Sequence, residues 1–90
     1  MATIRTIRLT ARERRALEAS RDHNEHPYVR ERCSAILKIA EGHAPHWVAR
    51  HGLLKPRDPD TVYYWLDVYE QDGLTGLVAH RQGGPRRRSL

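Results

Sequence analysis

Thr61, Tyr63 and Tyr64 open the stretch "DTVYYWLDVYEQDG", residues 60–73. Hydroxyls in the first turns of a helix can hydrogen-bond base edges or sugars, so these three are the candidate base-contacting residues. Lys55 and Arg57 stand just before the same helix, whose N-terminal dipole already favours phosphate, and they are the candidate phosphate contacts beside it. The helix itself raises an electrostatic problem. Asp60, Asp67, Glu70 and Asp72 fall within it, and residues 60–72 contain no Lys or Arg. Asp67 can accept only from a cytosine amino group, and a nearby phosphate repels it.

Positive charge is concentrated elsewhere. Residues 1–22 hold six Arg against three acids, and the tail from 78 to 90 holds Arg81, Arg86, Arg87 and Arg88 with no acid. Such arginines suit phosphate or a narrow minor groove. Four phosphate contacts would give a log–log salt slope of roughly −3.6 on duplex DNA. Arg5, Arg8, Arg12, Arg14 and Arg15 form a second basic cluster, with solvation of a surface helix as its simplest role. Trp47, beside His46 and Arg50, and Tyr64 are candidate anchors for a protein interface.

Other chemistries fit poorly. His23 and His26, then His43, His46 and His51, are spaced i+3, i+3 and i+5, without the thiolates or i, i+4 pairs of a zinc site. No metal or cofactor is expected. Cys33 falls on an apolar stripe, where a thiol has no reason to ionise, and no nucleophile–base pair is evident. The expectation is a protein that is not an enzyme.

The elements that must position these residues are helical. Thr10 and Glu13 form a capping box at the start of "LTARERRALEAS", in which Leu9, Ala16 and Leu17 supply apolar contact. Pro27 suits a first helical position, and Val29, Cys33, Ile36, Leu37 and Ala40 follow at helical spacing until Gly42. Pro45 starts a helix of about two turns that closes at Gly52 and needs packing to persist. In the last helix Asp60 is the expected N-cap and Gly73 the stop. Val62, Trp65, Leu66 and Tyr69 turn inward. That leaves Thr61, Tyr64, Asp67 and Val68 outward and Tyr63 at the margin. Leu74 and Leu77 can dock back on the bundle. "TIRTIRL" alternates apolar and charged residues and leaves a short N-terminal strand open.

Ninety residues allow one domain with a small core. Net charge is +5, which favours an anionic partner. The single cysteine fits a reducing, cytoplasmic setting, and no apolar run approaches the roughly 20 residues needed to span a bilayer. The organisation expected is a basic arm at residues 1–8, a helical domain at 9–80 and a disordered Arg-rich tail at 81–90.

The order of motifs resembles the N-terminal helix-turn-helix domain of bacterial insertion-sequence transposases related to the mariner superfamily. The similarity runs from about Leu9 to Arg88 and rests on "LTARER", "RERCSAILKIAEG", Val48-Ala49, "TVYYW", "EQDGLTGL" and the linker-like "GGPRRR". Two features depart from the pattern. "HGLLKPRDPD" is a longer turn with Pro56 and Pro59, and Tyr63, Tyr64 and Asp67 stand where the family carries Arg or Lys around its tryptophan.

The resemblance implies an all-α, homeodomain-like bundle of three to four helices that binds double-stranded DNA, specifically or semi-specifically. The family's ribonuclease-H-like catalytic part has no counterpart in the chain. The implied partners are duplex DNA and a separately encoded catalytic transposase subunit; a homodimer is a further expectation, and no membrane partner is expected. The alternative is a protein-interaction module on the same scaffold, using the Tyr/Trp and acidic surface. A weaker alternative is RNA binding through stacked tyrosines.

Overall fold

Each helix starts where the local chemistry favours it. The computed structural model describes residues 5–79. Four helices account for the regular structure among them: α1 (Ala11–His23), α2 (Pro27–Ala40), α3 (Pro45–Trp47), which runs on as a π-helical turn (Val48–Gly52), and α4 (Pro59–Ala79). The fold is all-α. Residues 5–10 form neither helix nor strand. The proposed tail, 81–90, lies outside the described residues.

The Thr10 hydroxyl accepts from the Glu13 N–H at 3.1 Å, and the Glu13 carboxylate accepts from the Thr10 N–H at 2.9 Å. This capping box is worth about 1 kcal/mol. Leu17 is the fully buried residue of α1, whereas Ala16 is exposed. At the far end of α2 the His43 N–H reaches the Lys38 carbonyl at 3.1 Å and the Gly42 N–H reaches that of Ile39 at 3.0 Å. This paired closure satisfies carbonyls that the helix leaves open.

The cap of α4 is Asp58, not Asp60. Pro59 has no N–H to lose and takes the first helical position. That places Asp58 outside the helix, where its Oδ1 accepts from the Asp60 N–H at 2.9 Å.

Gly73 breaks α4 at φ 69°, ψ −158°, a backbone geometry that a side chain would strain. The chain then resumes helical turns and folds back on the helix it has just left. Gly76 seats this return: a Cβ there would lie 2.8 Å from Val68 Cγ1 and 2.6 Å from Asp72 Cβ. Val68 is therefore buried, contrary to the outward orientation that its position in the helix alone predicts. Tyr64, also expected outward, is half-buried against the core for its part.

The core gathers Leu17 from α1, Val29, Cys33, Ile36 and Ile39 from α2, Val48 and Ala49 from the π-turn, and Val62, Leu66 and Leu77 from α4. Full burial of each large aliphatic side chain contributes about 1.5–3 kcal/mol. Arg32 lies among them at 3% exposure. Its Nη1 donates to the Leu77 carbonyl at 2.9 Å, and the guanidinium lies 4.9 Å from the Tyr28 ring and 5.9 Å from that of Trp65. Burial pulls its pKa below the ordinary arginine value, opposed by the nearby Tyr28 and Tyr64. Arg32 thus ties the segment after Gly73 to α2.

Candidate nucleic-acid interface

The solvent side of α4 is covered on both flanks. On one, the return after Gly73 covers Val68. On the other lies the N-terminal arm. Arg5 Nη1 donates to Asp67 Oδ1 at 2.8 Å, and Nη2 donates to Glu70 Oε1 at 2.6 Å. The same guanidinium stands 6.0 Å from the centre of the Tyr63 ring. Burial lowers the Arg5 pKa, but the bonds to Asp67 and the charge of Glu70 outweigh it, so the net shift is upward. Ile7 and Leu9 fasten the arm to the core behind this contact.

The acids of α4 are thus met by an arginine from the other end of the chain. One guanidinium offsets one of two negative charges, so this face remains mildly acidic. Asp60 and Gln71 complete the exposed ridge. Thr61, Tyr63 and Tyr64 are all half-buried on the first two turns of α4, and the Thr61 N–H is bonded to the Asp58 carbonyl at 2.9 Å.

Lys55 and Arg57, alike in sequence, play different parts. Lys55 is exposed in the turn. Arg57 is held by Glu31, with Nε 2.7 Å from Oε2 and Nη2 2.8 Å from Oε1. The hydrogen bond to Glu31 raises the Arg57 pKa, ahead of a smaller opposing effect of burial. Its N–H also donates to the Ala49 carbonyl at 2.7 Å. Arg57 therefore shapes the turn, and a phosphate would have to share its guanidinium with Glu31. Arg81, Arg86, Arg87 and Arg88 lie outside the described residues.

Trp47 is 41% exposed. His43 stacks on it with centroids 4.3 Å apart and planes 15° apart, and His51 flanks it at 5.9 Å and 48°. The aromatic group thus gathers His43, Trp47 and His51 around the third helical segment, with Trp47 partly open to solvent. Among the described residues no three His, Cys, Asp or Glu side chains converge on a metal-sized site. No helix among them is long and apolar enough to cross a membrane. Burial pushes the Cys33 thiol pKa up, against the lowering effect of a Ser20 hydrogen bond and of Arg21 and Arg32.

Sequence reasoning missed the Arg5 bridge and the burial of Arg32. The first had no readable signal, since Arg5 and Asp67 are 62 positions apart. The second did: Arg32 falls at i+3 from Val29 and i−4 from Ile36, directly on the apolar stripe. No protein-family profile, curated protein or solved structure matches the chain.

Proposed function

We propose that the chain is a non-catalytic, double-stranded-DNA-binding module of helix-turn-helix type, similar in role to the DNA-recognition part of a transposase. The observation that carries this reading is the bridge from Arg5 to Asp67 and Glu70. It sets one guanidinium of the basic arm on the face of α4 that carries Asp67 and Glu70, and Arg8 of the same arm is exposed. An approaching phosphate then meets guanidinium groups as well as carboxylates. Lys55 adds charge beside the helix N-terminus, while Thr61, Tyr63 and Tyr64 supply a modest base readout. The tail arginines add phosphate or minor-groove contacts. A separately encoded catalytic subunit would make the cut, and a homodimer would pair two half-sites.

Fluorescence anisotropy with a labelled random duplex tests this directly. Binding is expected at ~50 mM salt and should fall steeply as salt rises. Lys55→Ala should flatten the log–log slope by about 1 if Lys55 meets a phosphate. An undetectable complex at low salt refutes the reading. A protein-interaction role is favoured by a separate feature, the full exposure of Leu54 on the turn.

A further inference from the structure

The turn between the π-helical segment and α4 is pinned at both ends. At its start Gly52 lies on the stem of Lys38, so close that a Cβ would meet Lys38 Cδ at 3.2 Å. At its end Arg57 is fixed by Glu31 and by the Ala49 carbonyl. Between these anchors the chain stands away from the outer face of α2 and leaves a groove of about 690 Å³. That volume is typical of ligand clefts.

The chemistry of the groove is two-sided. Arg30, Lys38 and Lys55 line it together with the Arg57–Glu31 pair, leaving four cations against one anion. Arg30 also donates to the Asn24 carbonyl, which fixes its guanidinium at the wall. Tyr28 and Leu53 add apolar surface, and Leu54 stands at the edge with 104% exposure. Because the turn is held at both ends, Leu54 has no route to the chain's own core.

Charge excludes the obvious internal occupant, since residues 78–90 carry four Arg and no acid. A nucleic acid would satisfy the cations but leave Leu54 and the open part of Leu53 wet. We infer that this groove binds an acidic, leucine-bearing segment of a protein partner. Its carboxylates meet Arg30, Lys38 and Lys55, and one apolar side chain packs on Leu53 and Leu54. This goes beyond the duplex reading and shares only the turn's cations with it.

The test uses the full chain and a fluorescein-labelled peptide of alternating Glu and Leu. A Lys/Leu peptide and a random duplex serve as comparisons. The Glu/Leu peptide should bind, the Lys/Leu peptide should not, and amide shifts should centre on Ser34, Lys38 and Leu53. Leu54→Ser should weaken the peptide about tenfold and leave duplex affinity unchanged. Lys55→Glu should weaken the peptide by a similar factor of about ten. Both side chains are exposed, so the variants should keep the parent circular dichroism.

Equal binding of the two peptides overturns the inference, as does a peptide affinity indifferent to Leu54→Ser. Groove amides that shift with duplex but not with peptide assign the site to nucleic acid. A dimer that Leu54→Ser dissolves assigns it to a second copy. Either result overturns the partner proposed. Peptide binding without duplex binding refutes the DNA reading alone, and the reverse refutes this one alone.

Discussion

Arg57 grips Glu31 through two parallel hydrogen bonds of 2.7 and 2.8 Å, joining the turn before α4 to the first half of α2 across 26 positions of sequence. The pair sits at the surface, so its Coulomb energy is screened, but its two-point geometry adds to Leu53 and the Arg57–Ala49 bond in restraining the turn. The approach to α4 therefore depends on an ion pair as well as on the hydrophobic core.

Breaking that pair should loosen the turn more than it destabilises the fold. Glu31→Gln is expected to cost about 0.5–1 kcal/mol in urea unfolding, with a smaller effect at high salt. Amide exchange across residues 53–57 should accelerate. Unchanged protection in the turn would show that Arg57 does not restrain it.

Arg5→Ala should reveal whether the arm screens α4. The fold should lose no more than about 1 kcal/mol, because both carboxylates reach solvent. Duplex affinity should drop several-fold, as Asp67 and Glu70 then face phosphate uncompensated. If Arg5→Ala binds duplex as tightly as the parent, the arm does not serve this face. Adding Asp67→Asn and Glu70→Gln to Arg5→Ala should restore part of the loss.

Gly76→Ala probes the return of the chain after Gly73. The new methyl would meet Val68 and Asp72 inside van der Waals distance, so the return must shift. A loss of about 1–3 kcal/mol is expected, in line with overpacking in a fitted core. Thermal unfolding gives the number. Near-parent stability would mean that the segment moves aside freely and that Leu77 contributes little.

Cys33 supplies a pH signature. Burial raises its thiol pKa in the fold, so the folded state stays protonated where the unfolded chain ionises. The sign follows: this contribution is intact below the unfolded thiol's pKa and is lost as pH climbs through the folded value. Urea midpoints should therefore fall on the alkaline side of the ordinary thiol range, and Cys33→Ala should fall less steeply. Tyr69, raised chiefly by burial, acts with the same sign in both proteins, so the difference between them reports Cys33 together with its smaller charge effect on Tyr69. Rapid alkylation of Cys33 at neutral pH without denaturant would contradict its burial.

Much of this architecture was readable from neighbouring residues alone. The Thr10–Glu13 box, Pro27 at the head of α2, and Gly42 and Gly73 at helix ends were all legible, because each depends on contacts within a few positions. The cap of α4 was misplaced by two residues because Asp58 and Asp60 both suit the role, and Pro59 decides between them. The three candidate base-contacting side chains fall on the first two turns of α4; Tyr63 was expected at the margin, but the half-burial of Thr61 and Tyr64 was not foreseeable.

By itself, then, the sequence determined the helices, their apolar stripes and the ends of most of them. The tertiary structure alone decided the pairings of charge: Arg5 with Asp67 and Glu70, Arg57 with Glu31, and Arg32 with the Leu77 carbonyl. It also decided that Val68 is covered and Leu54 is not. The physical reason is range. Helix formation and capping are settled over a turn or two of chain, whereas a long charged side chain binds whatever surface the packing of distant helices brings within its reach.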